Sequence, residues 1–180
     1  MIHSFFHQVY VSDLSAIMTA MLILLIAWSV FGALFYKRMR LIGTIVLIIT
    51  LVVILYMTVI SRGESSAGHG FIPFSSFQRA IEQPEMYRSM LMNIFLFEPL
   101  GLALPFVIKG STAKRILLTI AIGFMFSVAI EALQYFFTLG MAEADDVICN
   151  TVGTALGSCA YLLTLLWRKL FSKHRGRRKA

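Results

Sequence analysis

The sequence is short of charge. Only 14% of its 180 residues are Asp, Glu, Lys or Arg, against 58% hydrophobic, and its mean hydropathy is +0.81. Soluble domains carry about 25% charged residues, so a water-facing globular fold is excluded. Cysteine is scarce too: Cys149 and Cys159 are the only two. Both fall in one apolar run. At about 1.5 Å per residue they stand about 15 Å apart on a helix, beyond the reach of a disulfide between them. No Lys or Arg precedes Lys37, so the first apolar run lacks the positive leader of a signal peptide, and it exceeds the usual apolar length of about 7–15 residues. It is predicted to be a retained span. No histidine falls inside an apolar run, which weighs against a nucleophile–His–acid catalytic set. His3, His7 and His69 follow no metal-ligand spacing, so neither a metal nor another cofactor is predicted. No internal repeat is visible, which weighs against an independent alternating-access carrier.

What the chain has is apolar length. Five runs cover residues 14–36, 41–60, 90–108, 116–137 and 147–167, each near the 20 residues or so that cross about 30 Å of hydrocarbon. The predicted fold is all-α, a polytopic membrane helix bundle of about five spans. Residues 1–60 hold two N-terminal spans, 61–167 an outer loop with three more, and 168–180 a basic tail. Two links between spans are short, at 37–40 and 109–115, and the segment 61–89 is the one long loop.

Charge placement predicts the direction of the spans. Lys37, Arg38 and Arg40 fill one short link, and Lys109, Lys114 and Arg115 lie in or beside the other. Arg168, Lys169, Lys173, Arg175, Arg177, Arg178 and Lys179 fill the tail. Of the 16 basic residues only Arg62, Arg79 and Arg88 lie elsewhere, in the long loop. The short links and the C-terminus are therefore expected in the cytoplasm, and the N-terminus and long loop outside. The basic rim would lie against anionic headgroups, and no nucleic-acid partner is expected.

Polar residues inside the runs are the candidate site. A mid-membrane carboxylate costs at least about 2.5–3.5 kcal/mol on insertion scales and usually faces protein or a wet cavity. Glu98 in the third run and Glu131 in the fourth are expected to share one depth in the outer leaflet. Gln134 follows Glu131 on the same helical face, and Asp146, Asn150, Gly153 and Gly157 form one stripe on the fifth span. Asn93 lies near the outer end of the third span. These residues are expected to gather in one outer pocket above largely apolar inner halves. Interhelical hydrogen bonding by Asn93, Gln134 and Asn150, and close packing at Gly153 and Gly157, are the structural alternatives. Pro99 and Pro105 are expected to bend the third span and to free backbone carbonyls for neighbours to satisfy. In the long loop, Phe74, Phe77 and Ile81 are spaced for one face of an interfacial helix, with Ser75 or Ser76 as its cap. That helix would either anchor the interface or roof the pocket.

The stretch Asn93-Ile94-Phe95-Leu96-Phe97-Glu98-Pro99-Leu100-Gly101, ending at Leu104-Pro105, resembles the third-span motif of VanZ-like proteins. Glu131, Gln134, Asp145, Asp146, Asn150, Gly153 and Gly157 match that family's second motif in order and spacing. Ile72-Pro73-Phe74, shortly after Ser61-Arg62, looks like its outer-loop signature. The resemblance spans about 61–157. It departs at Gly140, where the family often has Arg, at Glu143, where it has Asp, and at Glu98, which is usually apolar. With the family Arg missing, either one of Arg62, Arg79 and Arg88 supplies its charge or the site is more negative. The resemblance implies a bacterial cell-membrane protein of a family linked to resistance against the glycopeptide teicoplanin. On that reading Arg62, Asn93, Glu98, Glu131, Gln134, Asp145, Asp146 and Asn150 bind an amphiphile at the outer leaflet, a membrane lipid, a lipoglycopeptide or a lipid-linked envelope precursor. The alternatives are an intramembrane enzyme on a lipid-linked substrate, with Glu131 as general acid or base and Asp146 assisting, and a small transporter or a subunit of one. The Gly153/Gly157 spacing also permits a homo-oligomer.

Overall fold

The computed structural model describes residues 2–61, 68–83 and 85–177, and side chains for 14–61, 70–83 and 85–173. Among them are six α-helices: α1 (Ile2–Leu34), α2 (Met39–Leu55), α3 (Ser75–Glu82), α4 (Glu85–Val107), α5 (Thr112–Phe136) and α6 (Ala144–Arg177). Five carry stretches long and apolar enough to cross a membrane: Leu14–Leu34, Met39–Ile60, Glu85–Val107, Thr112–Phe136 and Ala144–Lys173. Leu22, Leu41, Ile48, Leu117 and Met125 lie more than half exposed on their outer faces. Such a surface is far larger than the apolar patches of a soluble monomer and suits lipid contact.

The helices depart from the apolar runs at their ends. α4 begins at Glu85, not near 90, because Glu85, Met86 and Arg88 are competent helix formers, with an acid favourably placed in the first turn. Hydropathy does not register such a polar first turn. α2 does not end cleanly. Tyr56–Ile60 widens into a π-helical turn, where Thr58 Oγ donates to the Ile54 carbonyl (2.7 Å) and Gln134 of α5 donates to the Thr58 carbonyl (2.9 Å). At the opposite end of the bundle, Ser111 caps α5 by accepting the Lys114 N–H.

α4 and α6 form the centre, and their packing is the most extensive in the molecule. Glycines make it so. A Cβ on Gly153 would overlap the Ile94 carbonyl oxygen, one on Gly157 that of Glu98, and one on Gly101 that of Thr154. Small residues at this spacing let two backbones touch, and the predicted stripe on the fifth span is spent on that contact within the chain. Phe97, Leu100 and Leu104 of α4 continue the core to Ile54 of α2 and Ile130 of α5. Toward the short-link end, Met39, Phe106 and Tyr161 close a second cluster, with the Arg168 guanidinium 3.6 Å above the Tyr36 ring. The two prolines sit inside α4. Nearby carbonyls are met from other helices, Leu102 by Trp28 Nε1 (2.9 Å) and Pro105 by Arg115 (3.1 Å). This half is not purely apolar, as the sequence suggested. Buried Ser29 and Thr164 join α1 to α6, Thr164 Oγ donating to the Ser29 carbonyl and Trp167 Nε1 to Ser29 Oγ.

At the other end, β1 (Gly68–Gly70) pairs in parallel with β2 (Met141–Glu143), placing Gly70 opposite Glu143. α3 packs there through Phe77 and Ala80 against Met86 and Met90 of α4 and Cys149 of α6. The expected face of Phe74, Phe77 and Ile81 is divided, because Phe77 turns inward while Phe74 and Ile81 are 56% and 76% exposed.

Candidate functional site

The polar centre of the α3 end is built on Asp145, in the first turn of α6. Its side chain is buried, and its two carboxylate oxygens accept the backbone N–H groups of Phe74 and Ser76, the latter at 2.6 Å. These N–H groups open α3, where a helix leaves donors unpaired and favours negative charge. The cap of α3 is therefore a distant acid and not Ser75 or Ser76, as local sequence suggested. The N-cap position is Phe74, in a left-handed conformation (φ +65°), and no side chain of its own caps it. A bulky residue there is strained by about 1–3 kcal/mol. The two bonds to Asp145 offset that strain.

Ser76 carries the network onward. Its hydroxyl donates to Glu143 Oε2 (2.8 Å) and accepts from Arg79 (2.9 Å), and Arg79 pairs with Glu143 Oε1 at 3.2 Å. Of the three loop arginines, Arg79 brings a cation to the acids, and Arg62 lies outside the described residues. The position of the missing family arginine, Gly140, has φ +111°, a conformation unfavourable to any side-chain-bearing residue. Glu131, buried near the end of α5, accepts the Glu143 backbone N–H (2.9 Å) and so fastens β2. Glu131, Glu143 and Asp145 thus form a connected hub spanning α3, α5, β2 and α6.

Below it lies an apolar cavity of about 370 Å³, with Glu131 and Glu143 in its lining. Its other walls are Phe71, Val128, Ala132, Tyr135, Phe136, Ala144 and Val147. The Phe71 and Tyr135 rings stand 5.6 Å apart at its edge.

The remaining predicted residues do not all come here. Asp146 is half-buried in the first turn of α6, and Asn93 is half-buried on α4. Asn150 donates to Ser127 Oγ (2.8 Å), joining α6 to α5, and Gln134 holds the π turn, so both act as ties between helices. Glu98 is elsewhere. Its carbonyl lies against Gly157, about 20 Å along α6 from Ala144 at about 1.5 Å per residue, whereas Glu131 bonds the residue just before α6. Glu98 lines another cavity, one that shares no residue with that of Glu131. The expected single pocket is two sites at different depths, because the third span starts earlier than its apolar run.

The profile of the VanZ/LLP1 family matches residues 42–167. The chain belongs to the VanZ/LLP1 family. The match begins within α2, earlier than the motifs alone reach, and covers the hub, its cavity and the α4–α6 glycine seam. Protein VanZ of Enterococcus faecium is 35% identical over 80 residues, 43% of this chain and 47% of that relative, so the chain spans about half the length of the curated relative it matches. No solved structure matches. With five apolar helices and this family, the chain is a multi-pass membrane protein. Set against the VanZ-like motifs, the geometry gives two of them a physical meaning. The loop signature Ile72-Pro73-Phe74 sets the turn that points the Phe74 N–H at Asp145, and the motif residue Glu131 positions β2. Ser76 and Phe71 belong to the site although the sequence singled out neither as a binding residue, and Arg79, one of three arginines considered for the missing charge, pairs with Glu143 there. The three-residue spacing of Ser76 and Arg79, at the start of an amphipathic helix, was the available signal.

Proposed function

We propose that this VanZ/LLP1 member binds an amphiphile at the outer leaflet, its polar head at the Glu131–Glu143–Arg79 hub and its apolar part in the cavity beneath. The reading places the α3 end outside, because the basic short links and tail favour the cytoplasmic face. The single observation that carries it is a cavity with apolar walls that has the hub residues Glu131 and Glu143 in its lining, as expected of an amphiphile site. Its volume falls within the range of small-ligand pockets, about 300–1,000 Å³. Exposed Phe71, Ile72 and Phe74 beside it suit insertion among headgroups. A lipoglycopeptide such as teicoplanin fits this chemistry, since it joins a polar head to an acyl chain. The family link to glycopeptide resistance makes it the first ligand to try, with lipid-linked envelope precursors second.

The test uses purified protein in nanodiscs of bacterial lipid. Retention of teicoplanin, and separately of its form lacking the acyl chain, is measured for wild type, Glu131→Gln and Ala132→Trp. Acyl-dependent retention that falls about tenfold or more in both variants supports the reading. Equal retention by all three proteins overturns it for this ligand. Mass-spectrometric detection of a chemically altered lipid, lost in Glu131→Gln, replaces binding with catalysis.

A further inference from the structure

We propose that the cavity between α1, α4 and α6 is a second binding site, open to the hydrocarbon, for a neutral amphiphile whose hydroxyl donates to Glu98. The cavity measures about 410 Å³ and is lined chiefly by Met18, Leu22, Leu91, Ile94, Leu156 and Glu98. Met18 and Leu22 are more than half exposed on the lipid side, so a molecule dissolved in the bilayer reaches it laterally. Glu98 is 1% exposed, and its Oε2 has no hydrogen-bond partner among the described residues. An unpaired buried carboxyl oxygen is costly. Contact of its backbone with Gly157 prevents α4 from rotating the acid toward the hub.

The vacant group selects the ligand class. Thr19 is the other polar lining residue, and its hydroxyl is committed to the Ser15 carbonyl at 2.7 Å. Among the described lining residues, the acceptor left without a partner is therefore Glu98. A hydroxyl brings one donor, which this acceptor satisfies. An ammonium brings three donors and a full charge, and a phosphate or carboxylate head brings a charge that no cation among the described lining residues meets; carrying either into hydrocarbon is costly. A long-chain alcohol, or another apolar molecule ending in a hydroxyl, is the match. The site shares no lining residue with the hub cavity and does not rest on the reading above.

The full chain in nanodiscs is exposed to diazirine-bearing hexadecanol, its methyl ether and the corresponding amine, and cross-linked peptides are mapped by mass spectrometry. The expected result is labelling of α1 and α4 beside Glu98 by the alcohol, about tenfold above the ether and the amine. It falls to the ether's level in Glu98→Leu. Because that substitution also alters the core, Leu22→Trp, which fills the cavity from its exposed side, is the second variant and gives the same loss with unchanged thermal unfolding. Labelling by the ether equal to that by the alcohol, stronger labelling by the amine, or labelling that survives either variant overturns the proposal.

Discussion

Two buried acids, Asp145 and Glu98, are each 1% exposed, yet they do opposite things. Asp145 has both oxygens filled by backbone donors of α3, and removing it would leave a helix end unpaired. Glu98 Oε2 has no partner among the described residues, and Glu98 lines an apolar cavity, so removing it should relieve the fold of a burden. Burial of a carboxylate therefore does not by itself separate structure from function. The supply of donors does. At the α3 end the protein provides its own donors, and at the Glu98 cavity something else must.

Four substitutions sharpen that contrast. Asp145→Ala should be the most damaging. It removes two hydrogen bonds to a charged acceptor, each about 1.5–3 kcal/mol, so a loss of about 3 kcal/mol or more is expected in thermal unfolding, with new protease sensitivity at 70–83. A melting temperature matching wild type would erase the distinction between the two acids. Gln134→Leu comes next, because it strands the buried Thr58 carbonyl at about 1–3 kcal/mol, and hydrogen exchange over Tyr56–Ile60 should accelerate. Arg79→Ala breaks the ion pair to Glu143, but Arg79 is 43% exposed. Less than about 1 kcal/mol is expected, and any effect should fade with added salt. Glu98→Leu is last, within about 0.5 kcal/mol of wild type or more stable, because it replaces a buried polar group that lacks a partner with an apolar one. A large loss there would mean that Glu98 has a structural partner after all.

The bundle was legible because apolar length is local. Five runs of the right size read as five spans, and Phe77 with its neighbours read as a short amphipathic helix. The glycines at 153 and 157 were legible as a contact stripe, since helical spacing alone puts them on one face. The site was legible only in part. Glu131 and Asp145 stood out as acids near apolar runs, but their tasks depend on partners outside their own helices, 12 residues away for Glu131 with Glu143 and 69 for Asp145 with Ser76. No local pattern carries that. The depth of Glu98 was misjudged for a related reason. The polar first turn of α4, from Glu85, is invisible to hydropathy, and a few residues of helix shift an acid by several ångströms. The β1–β2 pair was missed because three residues such as Gly68-His69-Gly70 show no alternation to read.

That small ladder works as a gauge. Successive side chains on a strand point to opposite sides, and in β2 the fully buried Ala142 alternates with Glu143, whose carboxylate reaches Ser76 and Arg79. A shift of a single position would drive the acid into the core and lift the alanine out. Adding or deleting one residue between Phe137 and Met141 should therefore disarm the hub more thoroughly than any exchange of side chains within it.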